Sequence, residues 1–257
     1  MGSTARKIFV ETERSEKSDY VFTYDADAQV LEASITQPVI PKPPAQAPLV
    51  TLAPDGAYQN VPAGPFQLGN ILSYTGGYSQ VSGYENKDGN YVTLATAVVE
   101  GLNILETLTA DRVVAQITTV MTPGNPVQSV SFAGSRICNL QILGHAVPVS
   151  VNQNALGAQP PDNGSYFDPS NLPAAMTVTG DELSGTILTP TTIPQLVVPN
   201  FGTVSLGQLM VTRTIPEDQT EYVYDYKVVM IQVDLSGGGA EGCVTVVMAD
   251  PNGGGRG

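Results

Sequence analysis

Between residues 92 and 151 the chain spells one short phrase twice. Gly101-Leu102-Asn103-Ile104-Leu105 returns as Asn139-Leu140-Gln141-Ile142-Leu143. Each copy is followed by a second β-rich stretch. After the first comes Leu108-Thr109-Ala110-Asp111-Arg112-Val113-Val114-Ala115; after the second, Gly144-His145-Ala146-Val147-Pro148-Val149-Ser150-Val151. Such units are too short and too β-branched to be helices. Residues 94–108 come nearest to a helical pattern, yet they carry Gly101 in mid-run among Val, Thr and Ile, which lowers helix propensity. No segment sustains an apolar period of 3.6 residues, whereas short apolar runs broken by Gly, Pro and Asn mark strands and turns. The chain is expected to be all-β.

What the repeat builds depends on how its copies meet. Stacked directly, GLNIL on NLQIL, they form successive coils of a β-solenoid in which no coil buries its face alone. Paired antiparallel, the same segments make a two-sheet β-sandwich. A β-solenoid-like stack of short strands is the expectation for residues 92–151 and 200–250, with the two-sheet β-sandwich as the alternative.

Composition narrows the function. Of 257 residues, 26 are Gly and 20 are Pro, and only 14% are charged, against roughly 25% in an average domain. The formal net charge is −13, with 11 Lys and Arg in all. Without a basic cluster, neither nucleic acid nor an anionic membrane is an expected partner. No apolar run approaches the roughly 20 residues of a membrane span. Low charge with many Thr, Ser, Asn and Gln suits an extracellular or cell-surface protein. The cytoplasm is the alternative, because Met1-Gly2-Ser3-Thr4-Ala5-Arg6-Lys7 is followed by the polar EKSDY segment (16–20) rather than the apolar core of an export leader.

Four regions follow from texture. Residues 1–37 read as N-terminal strands with a hairpin turn at 25–29. Residues 38–66 hold Pro38, Pro41, Pro43, Pro44, Pro48, Pro54, Pro62 and Pro65, which exclude a regular central strand and suggest an extended arm. Its Val39, Ile40, Leu49, Val50 and Leu52 argue that the arm packs along the body. Residues 67–250 form the main β domain, interrupted by a long polar loop at 152–175. Residues 251–257 are a tail too Gly-rich to fold alone.

The phrase VVEGLNILETLTADRVVAQ (98–116) with the later GSRICNLQILGHAVPV (134–149) resembles bacterial proteins of the choice-of-anchor P type. In that family a strand ending in an N-L/V-N-I/V-L phrase precedes a T-A-D/S-x-V segment, and an N-L-x-I-x-G-x-P-V phrase follows. Here Asn139 to Val147 matches it, with Pro148 one place later. The closing apolar strand at 228–248 is similar too, so the likeness spans residues 92–151 and 200–250. It implies a secreted or surface-attached protein with no established activity. Neither the export leader nor the C-terminal anchor of that family is legible in this chain.

Residues that could carry chemistry each have a plainer role. His145, the single histidine, is the one possible base of a hydrolase, but no G-x-S-x-G elbow accompanies it, and it reads as a turn or edge residue. Glu100 and Asp111 could pair as glycosidase carboxylates; on the plainer reading Glu100 lies on the solvent face and Asp111 pairs with Arg112 or caps a turn. The oxygen-rich loops 85–90 and 162–168 lack a calcium-loop spacing and read as Asx turns. Cys138 and Cys243 read as buried free thiols, with a disulfide as the alternative. No catalytic residue, metal or cofactor is implied. The tyrosines are the better candidates for contact: Tyr74, Tyr78, Tyr84 and Tyr91 in one Gly/Ser-rich region, and Tyr222, Tyr224 and Tyr226 alternating along one strand. The expected function is structural or adhesive, through self-association or another protein, using the arm or the tyrosines. The alternatives are a glycan-binding module and a hydrolase built on His145.

Overall fold

The computed structural model describes residues 21–38, 48–123, 128–153, 176–178, 187–189, 194–214 and 223–256. Among them there is no helix. The strands, in chain order, are β1 (Val21–Gln37), β2 (Leu49–Thr51), β3 (Ala57–Ala63), β4 (Phe66–Leu68), β5 (Leu72–Tyr74), β6 (Gly76–Glu85) and β7 (Tyr91–Ile104). They continue with β8 (Leu108–Met121), β9 (Ser129–Ser131), β10 (Arg136–Cys138), β11 (Gln141–Ile142), β12 (His145–Ala146), β13 (Val149–Val151), β14 (Met176–Val178) and β15 (Ile187–Thr189). The last are β16 (Gln195–Val198), β17 (Gly202–Thr214), β18 (Val223–Gly237) and β19 (Ala240–Arg256).

Two sheets make the body. One runs β15-β16-β17-β18-β19-β1-β2; the other is built on β12-β11-β8-β7-β5-β4, with β3 reached through β6, and β9 and β10 on β8. β13 and β14 form a separate ribbon. The pairings are antiparallel, so the strands of a pair can be joined by short turns. The sheets close one core over Ala26, Ala28 and Val244 on one side and Ala95, Val99 and Val113 on the other. The two-sheet alternative therefore describes the architecture, and the solenoid stack is corrected. Leu102 faces Ala110 and Thr109 faces Gln141, so GLNIL and NLQIL flank β8 from opposite sides instead of lying on each other.

The long strands do not keep one alternation from end to end. In β7 the core residues are Ala95, Ala97 and Val99, then Leu102 and Ile104; in β8 they are Leu108 and Ala110, then Val113, Ala115 and Ile117. The slip falls at Gly101, whose φ is +61°, and at Asp111 opposite it. It extends to Asn139 (φ +51°), whose side-chain amide donates to Asp111 Oδ2 at 2.5 Å. The other sheet slips likewise. The flanking registers put Gly207 (φ +62°), Met230, Val247 (φ +51°) and Val30 in one transverse row. Each sheet thus changes the face it gives to the core along one line, and a left-handed residue at that line takes up the turn of the backbone.

Three expectations change. The hairpin at 25–29 does not form: β1 runs unbroken through Asp25 to Gln29, because Ala26, Ala28 and Val30 continue its buried side. The Gly-rich end is strand, with Tyr24 facing Gly253 and Phe22 facing Gly255. Glycine suits that position, since a Cβ on Gly253 would lie 2.7 Å from the Phe22 ring. Part of the Pro-rich segment is also strand, as β2, β3 and β4, with Pro62 in a strand that among the described residues has a neighbour on one side only, where its missing N–H is tolerated.

Candidate functional site

The segment from Pro48 to Ala63 runs along one flank of the sandwich and supplies the last strand of each sheet on that side. β2 ends the seven-stranded sheet against β1, and β3 ends the other against β6. The connection between them is tied down. Leu52 N–H donates to Ala26 O at 2.8 Å, Tyr24 N–H to Pro54 O at 2.9 Å, and Ser79 Oγ to Pro48 O at 2.7 Å. Gly56 closes the turn at φ +80°, where a Cβ would stand 2.7 Å from the Gly83 carbonyl oxygen.

β3 itself is open. It has seven residues, Ala57-Tyr58-Gln59-Asn60-Val61-Pro62-Ala63, and all but Ala63 are exposed. Among the described residues every other edge strand has two or three residues, and residues 208–214 of β17 also lack a neighbour on the β16 side. β3 also carries no charge, in a chain of net charge −13. Tyr58, Asn60 and Pro62 share one face, and Asn60 Nδ2 donates to Tyr58 Oη at 3.3 Å. Gln59 and Val61 share the other, the side on which Ala63 and Val81 join the core. Tyr58 is 64% exposed, Val61 39% and Tyr84, on neighbouring β6, 53%.

The candidate tyrosines divide between core and surface. Tyr74 is buried against Phe66, their rings 5.5 Å apart, and burial pushes its hydroxyl above the usual range. Tyr91 stacks on Phe22 at 4.5 Å and meets Tyr24 edge-on at 6.2 Å, closing one end of the sandwich. Gly83 makes room for Tyr24, because a Cβ there would be 2.5 Å from its ring. Tyr226 is buried. Tyr224 lies in β18, and Tyr222 lies outside the described residues. Tyr78 is half-buried across from Pro62, and Tyr84 is exposed. Tyr78 and Tyr84 thus stand near the open strand, and Tyr58, which sequence reasoning passed over, belongs with them. Its signal was a tyrosine inside a charge-free run of seven residues.

The candidate acids take other partners. Glu100 pairs across the strands with Arg112 at 3.5 Å. Asp111 is held by Asn139 rather than by Arg112. His145 is exposed on β12. Cys138 and Cys243 are half-buried free thiols. In the 85–90 turn Asn86 Oδ1 accepts the N–H groups of Asp88 at 2.9 Å and Asn90 at 3.0 Å, an Asx turn as expected. The 152–175 loop, beyond Gln153, and the 162–168 turn lie outside the described residues. Among the described residues no group of His, Cys, Asp and Glu could hold a metal ion, and no helix is long and apolar enough to cross a membrane.

One acidic group was not legible. Asp27 faces Asp250 directly across β1 and β19, and like charges so placed repel. Thr51 Oγ donates to Asp27 Oδ1 at 2.6 Å, Asn252 donates to Asp250, and Tyr226 N–H donates to Asn252 Oδ1 at 3.1 Å. Burial pushes the Asp250 carboxyl up to about 6, against the pull of Lys227 and Asn252 and with the help of Asp27 and Asp225. Burial and then Asp25 raise Asp225 as well.

Fold and flank together define an all-β, two-sheet antiparallel protein that exposes the seven-residue strand β3 at one edge. Residues 22–186 match a family model described as a domain of unknown function, DUF8256, and the chain belongs to that family. The match takes in the whole of the sheet that holds β3, but only β1 and β2 of the other. No curated protein and no solved structure matches the chain.

Proposed function

We propose that this is a non-enzymatic structural or adhesive β module that works by associating with other protein, in the first place with itself. The observation that carries the proposal is β3, a seven-residue uncharged strand that among the described residues has a neighbour on one side only and has six exposed residues. An open strand presents backbone donors and acceptors in a row, which another extended strand satisfies. Tyr58, Val61 and Tyr84 add exposed apolar surface beside it.

The non-enzymatic part draws support from the pairings of Glu100 with Arg112 and of Asp111 with Asn139, which occupy those acids structurally. The resemblance to choice-of-anchor P proteins supports placing the module outside the cell or on its surface. Light scattering across a range of protein concentrations tests association. The expected result is an apparent mass that rises with concentration, and a monomer mass throughout contradicts the proposal.

A further inference from the structure

Natural proteins protect their edge strands. They keep them very short, place charges or proline on them, or cover them. Among the described residues the other edge strands are two or three residues long, whereas β3 has seven, carries no charge, and holds one such device, Pro62, next to its end. Five exposed residues ahead of Pro62, Ala57 to Val61, leave room for a partner, and the sequence of β3 suggests which.

We infer that β3 pairs with β3 of a second copy of this chain, antiparallel about Asn60, joining two sheets into one. The inference rests on the self-association proposed above and specifies its geometry. Laid antiparallel on itself about Asn60, the strand sets Ala57 against Ala63, Tyr58 against Pro62, Gln59 against Val61, and Asn60 against its own copy. Small residues meet at both ends, so nothing bulky blocks the approach. The Tyr58 ring faces Pro62, an apolar neighbour on its own side of the sheet, and that rung keeps only the bond from Tyr58 because Pro62 has no N–H. The two Asn60 amides face each other, and each can donate and accept. No like charges oppose, which matters in a chain whose net charge of −13 repels its copy over most of the surface. The exposed Val61 of each copy comes to lie across from Gln59 and is partly covered. The arrangement is a closed two-fold, in which the same patch serves both subunits.

Asn60 gives the test, because it is exposed and alone faces itself. Asn60→Cys, oxidised with copper phenanthroline, is expected to give a covalent dimer whose disulfide maps by mass spectrometry to position 60 in both chains, distinct from links through Cys138 or Cys243. Asn60→Lys sets two cations opposite each other and is expected to convert the dimer to monomer while leaving far-UV circular dichroism unchanged. A dimer that persists in Asn60→Lys and yields no 60-to-60 disulfide in Asn60→Cys overturns the β3 geometry but leaves self-association standing. A monomer in the unmodified chain at every concentration overturns both.

Discussion

Leu143 sits where an asparagine would be at home. It and Gly144, at φ +53° and +78°, are the two central residues of the hairpin between β11 and β12. Both positions of such a turn need positive φ, which Asn-Gly accepts and leucine resists. Leu143 is also 49% exposed, so it has little burial to lose. Leu143→Asn is therefore expected to stabilise the fold by up to about 1 kcal/mol in denaturant titration, and a loss of stability would contradict this account of the turn. Thr93 is the opposite case, a fully buried hydroxyl whose Oγ1 has no hydrogen-bond partner. Thr93→Val keeps the shape and removes the unpaired group, with an expected gain on the order of 1 kcal/mol, read as a raised Tm. At this scale the sequence was informative in an unexpected way. The repeated phrase encodes one local conformation twice: Gly101 and Asn139 in left-handed backbone, buried Leu102 and Leu140, buried Ile104 and Ile142, then left-handed Leu105 and Leu143. The repetition was legible, but its reason was not, because φ leaves no mark on hydropathy.

Among elements, strands were the legible part, and their lengths and partners were not. The central segments 93–104, 113–120 and 204–214 were recognisable because β-branched residues alternate there. Their joins were obscured by the slips at Gly101, Gly207 and Val247, which break period two in mid-strand and make one long strand look like two short ones. The acidic row shows the same limit. The alternation of Asp25 and Asp27 is visible in the sequence, but only the β1–β19–β18 pairing brings Asp250 and Asp225 beside them. That row makes stability depend on pH. The Asp250 carboxyl titrates near 6 in the folded chain against 3.8 for the ordinary group, so the folded state holds the proton more tightly. The resulting stabilisation is full below the ordinary value and is lost as pH rises through about 6. Asp250→Asn is expected to raise Tm at neutral pH and to flatten its fall between the two values. An unchanged slope of Tm against pH would contradict this assignment.

For the whole molecule, the strands of a sandwich and of a solenoid have the same local texture, and only the pairing partners separate them. Antiparallel β7 and β8, with NLQIL on the far side of β8, decide for two sheets. The candidate surface was half legible. The arm was singled out for its prolines, and those same prolines hid the seven residues within it that form an edge strand. What the molecule does turns on association through that edge. Sedimentation equilibrium of the unmodified chain, run beside Asn60→Lys at matched concentrations, tests it most directly. A reversible monomer–dimer equilibrium is expected in the unmodified chain and a monomer in the variant. A single monomeric species in both would contradict it.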